Sequence, residues 1–148
     1  MLSAALAAFA QRGYEGTSIS DLAEATGVSK AAFSYHFASK DDILVELASP
    51  LLTELEGLVD GVTGVDLPNG VRELLLAYID VLIDQRDVAI WIDGDKSVLN
   101  HPVIGPRLKK NNRVMRGLIS GPNATNAVRV RASAVLGCSD PSTRRPSP

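Results

Sequence analysis

The sequence predicts an all-α protein, a three-helix helix-turn-helix head followed by a second helical domain. Three observations carry that reading. Apolar residues recur at helical spacing in several separate stretches. Ser or Thr precedes the early helical stretches at the positions where a helix cap belongs, and Gly follows the first two. Two short helices are joined through Gly27-Val28, with the small Ala23 four residues before the glycine.

Residues 2–12 read as an amphipathic helix with Leu2, Leu6, Phe9 and Ala10 on one stripe and Gly13 as the stop. "YEGTS" is a turn, and Thr17 or Ser18 can cap a second helix, Ile19–Thr26, whose Ile19, Leu22 and Ala23 face inward. Gly27 ends it in a conformation of positive φ, Val28 plugs the junction, and Ala23 is small because the two helices cross closely. Ser29 caps a third helix from Lys30 to about Phe37, on which Phe33 and Phe37, four apart, pack inward together. Ser39 caps a fourth that runs to about Val59. Asp41 and Asp42 stand in its first turn, where the helix dipole favours negative charge, and Pro50 should kink or break it.

"DGVTGVDLPNG" (60–70) is the one clear linker-like stretch. After it Val71, Leu74, Leu75, Tyr78, Leu82 and Ile83 give a long helix. "DVAIWID" and "HPVIGPRLKKNNRVMRGLI" give two more, interrupted near Gly94 and resumed near Pro102. "AVRVRASAV" alternates for five residues like a strand, then reads like a helix. "GCSDPSTRRPSP" is rich in Pro, Ser and Arg and is expected to be disordered. The domains expected are 1–47, 48–137 and a tail, 138–148.

Composition narrows the function. The chain has 148 residues with 45% apolar content, enough for a core. Its apolar runs are too short and too broken by Asp, Arg or Gly to span a membrane. The apolar start runs into a patterned helix and is not read as a signal peptide. The single cysteine, Cys138, excludes an internal disulfide framework and leads to a cytoplasmic expectation. Charge is uneven: residues 1–50 carry three basic and six acidic groups, 51–100 three and ten, and 101–148 nine and one. Nucleic-acid binders usually announce themselves with a basic domain. Any such role for the head must therefore rest on a local face.

That face is on the third helix. With Phe33 and Phe37 turned inward, Lys30, Ala31, Ser34, Tyr35 and His36 are left outside, and in this motif the second helix meets base edges while flanking groups hold phosphates. "GYEGTSISDLAEATGVSKAAFSYHFASKDDIL" resembles the N-terminal domain of tetracycline-repressor-type (TetR family) transcriptional regulators. The likeness covers roughly residues 2–47 and is carried in order by Thr17, Ala23, Gly27, Val28, Ser29, Tyr35, His36, Phe37, Lys40 and Leu44.

The resemblance implies a homodimer that binds a double-stranded DNA operator and is released by a small-molecule effector. It implies that Thr17 and Lys40 hold phosphates on either side of the recognition helix and that Tyr35 and His36 contact the DNA backbone at its end. Lys30, Ala31, Ala32 and Ser34 would occupy base-facing positions. Ser34 stands where the family commonly has an aromatic and Ala38 where it has lysine, and no basic leader precedes the first helix, which lowers the affinity expected. Family members usually finish with two long helices that pair with a second subunit. Here only Ala124–Gly137 is helix-like, so the expectation is a weak or concentration-dependent dimer and an incomplete second domain.

Trp91 has two readings, as one wall of an effector pocket with Tyr78, Leu82 and Leu99, or as core filling. "RLKKNNRVMR" (107–116) reads as the solvated face of an amphipathic helix, or else as a basic patch aiding DNA or partner binding. Gly57, Gly61 and Gly64 fit no phosphate-loop spacing. "DGDKS" starts like a calcium loop but has Val98 at the sixth position and Ile104 at the twelfth. With only His36 and His101 as histidines and one cysteine, a zinc site is not expected, nor is a cofactor. Ser34 and His36, two apart on a helix, point in different directions and cannot act as a nucleophile and base, so no enzyme is expected. The alternative to a DNA-binding regulator is a helical ligand-binding or dimer-partner module that does not bind DNA.

Overall fold

The structure is a computed structural model that describes residues 1–61, 69–121 and 125–135. Most of the linker-like stretch 60–70 and all of the tail 138–148 lie outside the described residues. Among the described residues there is helix and no strand: α1 (Leu2–Arg12), α2 (Ile19–Thr26), α3 (Lys30–His36), α4 (Lys40–Asp60), α5 (Asn69–Asp84), α6 (Arg86–Gly94), α7 (Lys96–Leu99), α8 (Ile104–Ser120) and α9 (Asn126–Val135). The segment "AVRVRASAV" is thus helical, in α9.

Local chemistry sets the ends of the first four helices. α1 stops at Gly13, φ 75°. Of the two candidate caps for α2, Ser18 is used. Its hydroxyl accepts the Asp21 N–H at 3.2 Å and Asp21 accepts the Ser18 N–H at 2.8 Å, a reciprocal box that satisfies two orphan donors. α2 ends at Gly27, φ 71° and ψ 21°, with the Gly27 N–H donating to Glu24 and the Val28 N–H to Ala23. This is the left-handed helix terminus that favours glycine. Ser29 accepts the Ala32 N–H at 3.1 Å to start α3. Ser39 and Asp42 repeat the reciprocal box at the start of α4.

Two expectations need correction. In α1 the inward residues are Ala5 and Phe9 with Leu2, Leu6 and Ala8 beside them, whereas Ala10 is exposed. The stripe turns through Ala5 because positions 2, 5, 6 and 9 share one helix face. α4 runs through Pro50 as one element. Pro50 and Glu46, whose carbonyl loses its partner there, are both on the exposed side, where water can serve that carbonyl.

α4 positions everything else. It buries Ile43, Leu44, Leu47 and Ala48 toward the head, then Leu51, Leu52, Leu55 and Val59 toward α5, α6 and α8, so the boundary expected at 47/48 falls inside one helix. The core is continuous from α1 to α8. Across the seam Phe9 of α1 stacks on Trp91 of α6, ring centroids 5.2 Å apart and planes 7° apart. Arg107 of α8 grips Glu56 of α4 with two guanidinium N–H groups, at 2.8 and 2.7 Å. No helix among the described residues is long and apolar enough to cross a membrane.

Candidate nucleic-acid interface

The second helix of the helix-turn-helix is held from behind and bare in front. Phe33 and Phe37 lie buried at a centroid distance of 5.5 Å, anchoring α3 on α2 and in the common core. On the other side Lys30, Ala31, Ala32, Ser34, Tyr35 and His36 are all exposed. Tyr35 is 87% exposed, with His36 edge-on to its ring at 5.6 Å. A tyrosine so open on a short, well-anchored helix has a ring edge and a hydroxyl free to meet a partner. The small Ala31 and Ala32 leave room for a groove edge to approach the helix.

The two flanking residues are placed differently. Thr17 is 2% exposed, and its hydroxyl donates to the Gly13 carbonyl at 2.7 Å while its N–H donates to the Tyr14 carbonyl at 3.3 Å. Both of its donors are spent on the turn, so in this conformation Thr17 shapes the approach and has none left for a phosphate. Lys40 is half-buried, its Nζ donating to the Tyr14 carbonyl at 2.8 Å and lying 4.2 Å from the centroid of the Tyr14 ring. Two of its three N–H donors remain.

Behind this face lies a cluster that short-range patterns do not show. The Tyr14 hydroxyl donates to Asp41, and its backbone N–H donates to Asp95 at 2.6 Å. Burial and then the Asp41 hydrogen bond push the Tyr14 phenol well above its ordinary range, while that hydrogen bond, ahead of His101, holds the Asp41 carboxyl below its own. For Asp95 burial acts upward but is outweighed by hydrogen bonds from Ser97, Tyr14 and Val98, which leave the carboxyl lowered. Tyr14, Asp41 and the pair Asp95 and His101 come from three segments far apart in sequence. Only their aromatic or ionisable character could have singled them out.

Of the residues expected around an effector, Tyr78 and Trp91 are buried, and Leu82 and Leu99 are half-buried. Trp91 spends one face on Phe9, yet its indole N–H is buried without an acceptor. The run 107–116 behaves as an amphipathic helix with Lys109, Lys110 and Arg113 outside, but Asn111 within it is buried with both side-chain polar atoms unpaired. Sequence reasoning missed Asn111 because an Asn among Lys and Arg reads as part of a wet face.

Residues 1–47 match the family described as bacterial regulatory proteins, tetR family. Over 133 residues, 90% of this chain and 62% of the relative, the sequence is 33% identical to the HTH-type transcriptional repressor AcnR of Corynebacterium glutamicum. Over 89 residues, 58% of this chain and 41% of the relative, it is 30% identical to the HTH-type transcriptional regulator AcrR of Shigella flexneri. The chain thus spans less than two thirds of either relative's length. Among solved structures it is similar to the TetR family transcriptional regulator PfmR of Thermus thermophilus, with TM-score 0.63, 27% identity, and 91% of this chain and 79% of that one covered. A TetR-family member from Streptomyces coelicolor shares the fold at TM-score 0.75 and 22% identity, covering 92% of this chain and 72% of its own. The first 47 residues thus carry the N-terminal domain of that family, and the chain as a whole is similar in fold to its members.

Proposed function

We propose that this chain is a sequence-specific DNA-binding transcriptional regulator of the cytoplasm, a repressor that acts as a homodimer and lets go of its operator when a small apolar ligand binds. The observation that carries the reading is the exposed row on α3, Lys30, Ala31, Ala32, Ser34, Tyr35 and His36, held on a helix whose opposite side is locked by Phe33 and Phe37. A helix anchored this way offers its outer side to a major groove as a rigid reader. Lys30 and Lys40 supply the phosphate contacts, and Tyr35 and His36 lie along the sugar–phosphate edge. Thr17 supports the turn and is not assigned to DNA.

The ligand site lies among Tyr78, Leu82, Trp91 and Leu99. A buried donor without a partner is costly, so a ligand carrying one acceptor for the Trp91 N–H would relieve that cost while filling apolar space. Asn111 is a second polar group of the same kind.

Selection of bound duplexes from fragmented genomic DNA, followed by anisotropy titrations across a salt series, tests the reading. The expected result is binding to a selected duplex far tighter than to random duplex, weakening steeply with salt as condensed counterions are released. Equal affinity for selected and random duplex would leave the alternative, a helical module that does not read DNA.

A further inference from the structure

His101 lies in the turn between α7 and α8, only 6% exposed, and its two ring nitrogens face different parts of the molecule. Nδ1 accepts the backbone N–H groups of Val103 and Ile104 at 3.3 and 3.4 Å. Val103 supplies no side-chain cap for α8, so the imidazole stands in for one. A ring nitrogen that accepts carries no proton, which puts the proton of the neutral ring on Nε2. Nε2 is buried with no hydrogen-bond partner, and Oδ2 of Asp41 lies 3.6 Å away.

The charged and titratable groups around the ring come from both sides of the seam. α4 brings Asp41 and, next to it, Lys40. The turn after α1 brings Tyr14, edge-on at 6.2 Å. The α6–α7 junction brings Asp95, which fixes the Tyr14 backbone. α8 adds the partial positive charge of its N-terminus.

We propose that His101 is a positioning residue with two settings chosen by its protonation. Neutral, it caps α8; protonated, it gives up that cap and clamps Asp41, tying the start of α4 to the body. An imidazolium has only donors, so taking a proton from solvent onto Nδ1 removes the acceptor of the Val103 and Ile104 N–H groups. The same proton turns the idle Nε2–H into a charge-assisted donor toward the Asp41 carboxylate. The start of α4 follows the recognition helix by only a few residues. Fixing it to the body lowers the ordering cost of presenting α3, so the protonated form holds DNA more tightly. This last step rests on the DNA-binding reading; the proton switch does not.

The experiment uses the full chain in a His36→Gln background, which leaves His101 as the single histidine. The variant lowers affinity at every pH, and the ratio between pH values is what is read. Proton NMR follows the imidazole signals between about pH 5 and 8, where histidines titrate. The same signals are followed in Asp41→Asn, which keeps an acceptor for the Tyr14 hydroxyl but removes the charge, and the two curves should separate. Affinity for a selected duplex rises about two- to fivefold toward acid, the scale of an exposed ion pair, and Asp41→Asn flattens that rise. His101→Asn, which offers a cap acceptor but cannot be protonated, loses the pH response.

Superimposable titration curves with and without the Asp41 charge would overturn the switch. So would parallel affinity profiles in the two proteins. Absence of DNA binding at every pH would instead overturn the functional reading, and the titration curves would still decide the switch.

Discussion

The outer face of α3 and the seam behind it hold the same kinds of residue, tyrosine, histidine and lysine, in opposite circumstances. On α3, Tyr35, His36 and Lys30 are open to solvent. At the seam Tyr14 and His101 are buried and Lys40 half-buried; Tyr14 and Lys40 are bonded to other segments, and His101 holds the start of α8. Residue type therefore does not separate reading from holding; the number of partners does. A side chain without partners can meet a ligand at no loss, whereas one with several can move only by giving something up.

The sharpest way to test this contrast lies within α3 itself, on two aromatics two residues apart. Phe33→Ala should cost roughly 3–5 kcal/mol, the usual range for a fully buried phenylalanine, and should bring the head near unfolding. Tyr35→Ala should change stability by no more than about 0.5 kcal/mol, as for an exposed site, yet weaken operator binding clearly. Urea melts paired with anisotropy titrations read both. A Tyr35→Ala protein that binds the selected duplex like the parent would remove Tyr35 from the interface.

Gly27 gives the next effect in size. A Cβ there would meet nothing within 4 Å, so its demand for glycine comes from the backbone angle alone, φ 71°. Gly27→Val should cost about 1–2 kcal/mol for that left-handed conformation, and Gly27→Asn distinctly less, since Asn tolerates it. If the two variants melt together, crowding and not φ governs the site.

The α4 and α8 grip adds a pH-dependent effect. The Arg107 hydrogen bond, opposed by some burial, holds the Glu56 carboxyl below its ordinary range. A carboxyl lowered on folding contributes stability above its unfolded value and loses it as pH falls through the folded one. Glu56→Gln should therefore cost about 0.5–1 kcal/mol at neutral pH, toward the upper end for partly exposed pairs because the contact is bidentate. The difference from the parent should close in acid, in urea midpoints taken across the pH range. A gap that stays constant into acid would mean packing and not charge.

The same contrast explains what the sequence could tell. Caps, the Gly27 terminus and the inward pair Phe33–Phe37 depend on neighbours within four residues, and all are where the pattern put them. Two positions were only partly legible. Pro50 reads as a kink or a break, and the break does not occur because a proline on the wet side of a helix locked by eight buried residues is tolerated. Thr17 reads as a cap or a phosphate contact; Ser18 takes the cap, and the 13–17 turn draws the Thr17 hydroxyl inward. The seam was illegible for a plainer reason. Asp95 and His101 meet Tyr14 and Asp41 across more than fifty residues, and no period in the chain encodes that meeting.

The smallest effect separates the two lysines. Lys30 is exposed, so Lys30→Ala should leave the melt unchanged and reduce the salt slope of operator binding by about 0.9, the value for removing one neutralised phosphate. Lys40 is bonded to the Tyr14 carbonyl and stands over its ring, with two donors left over. If it serves both turn and phosphate, Lys40→Ala should reduce the slope by the same about 0.9 and lower stability by roughly 0.5–1 kcal/mol, the range of a cation over an aromatic ring at an exposed site. Each slope comes from affinities at four or more salt concentrations, and each stability from the urea midpoint. A Lys40→Ala protein that loses stability but keeps the parental slope would place Lys40 wholly on the holding side. The interface would then be α3 alone, with Lys30 as the phosphate contact that remains assigned.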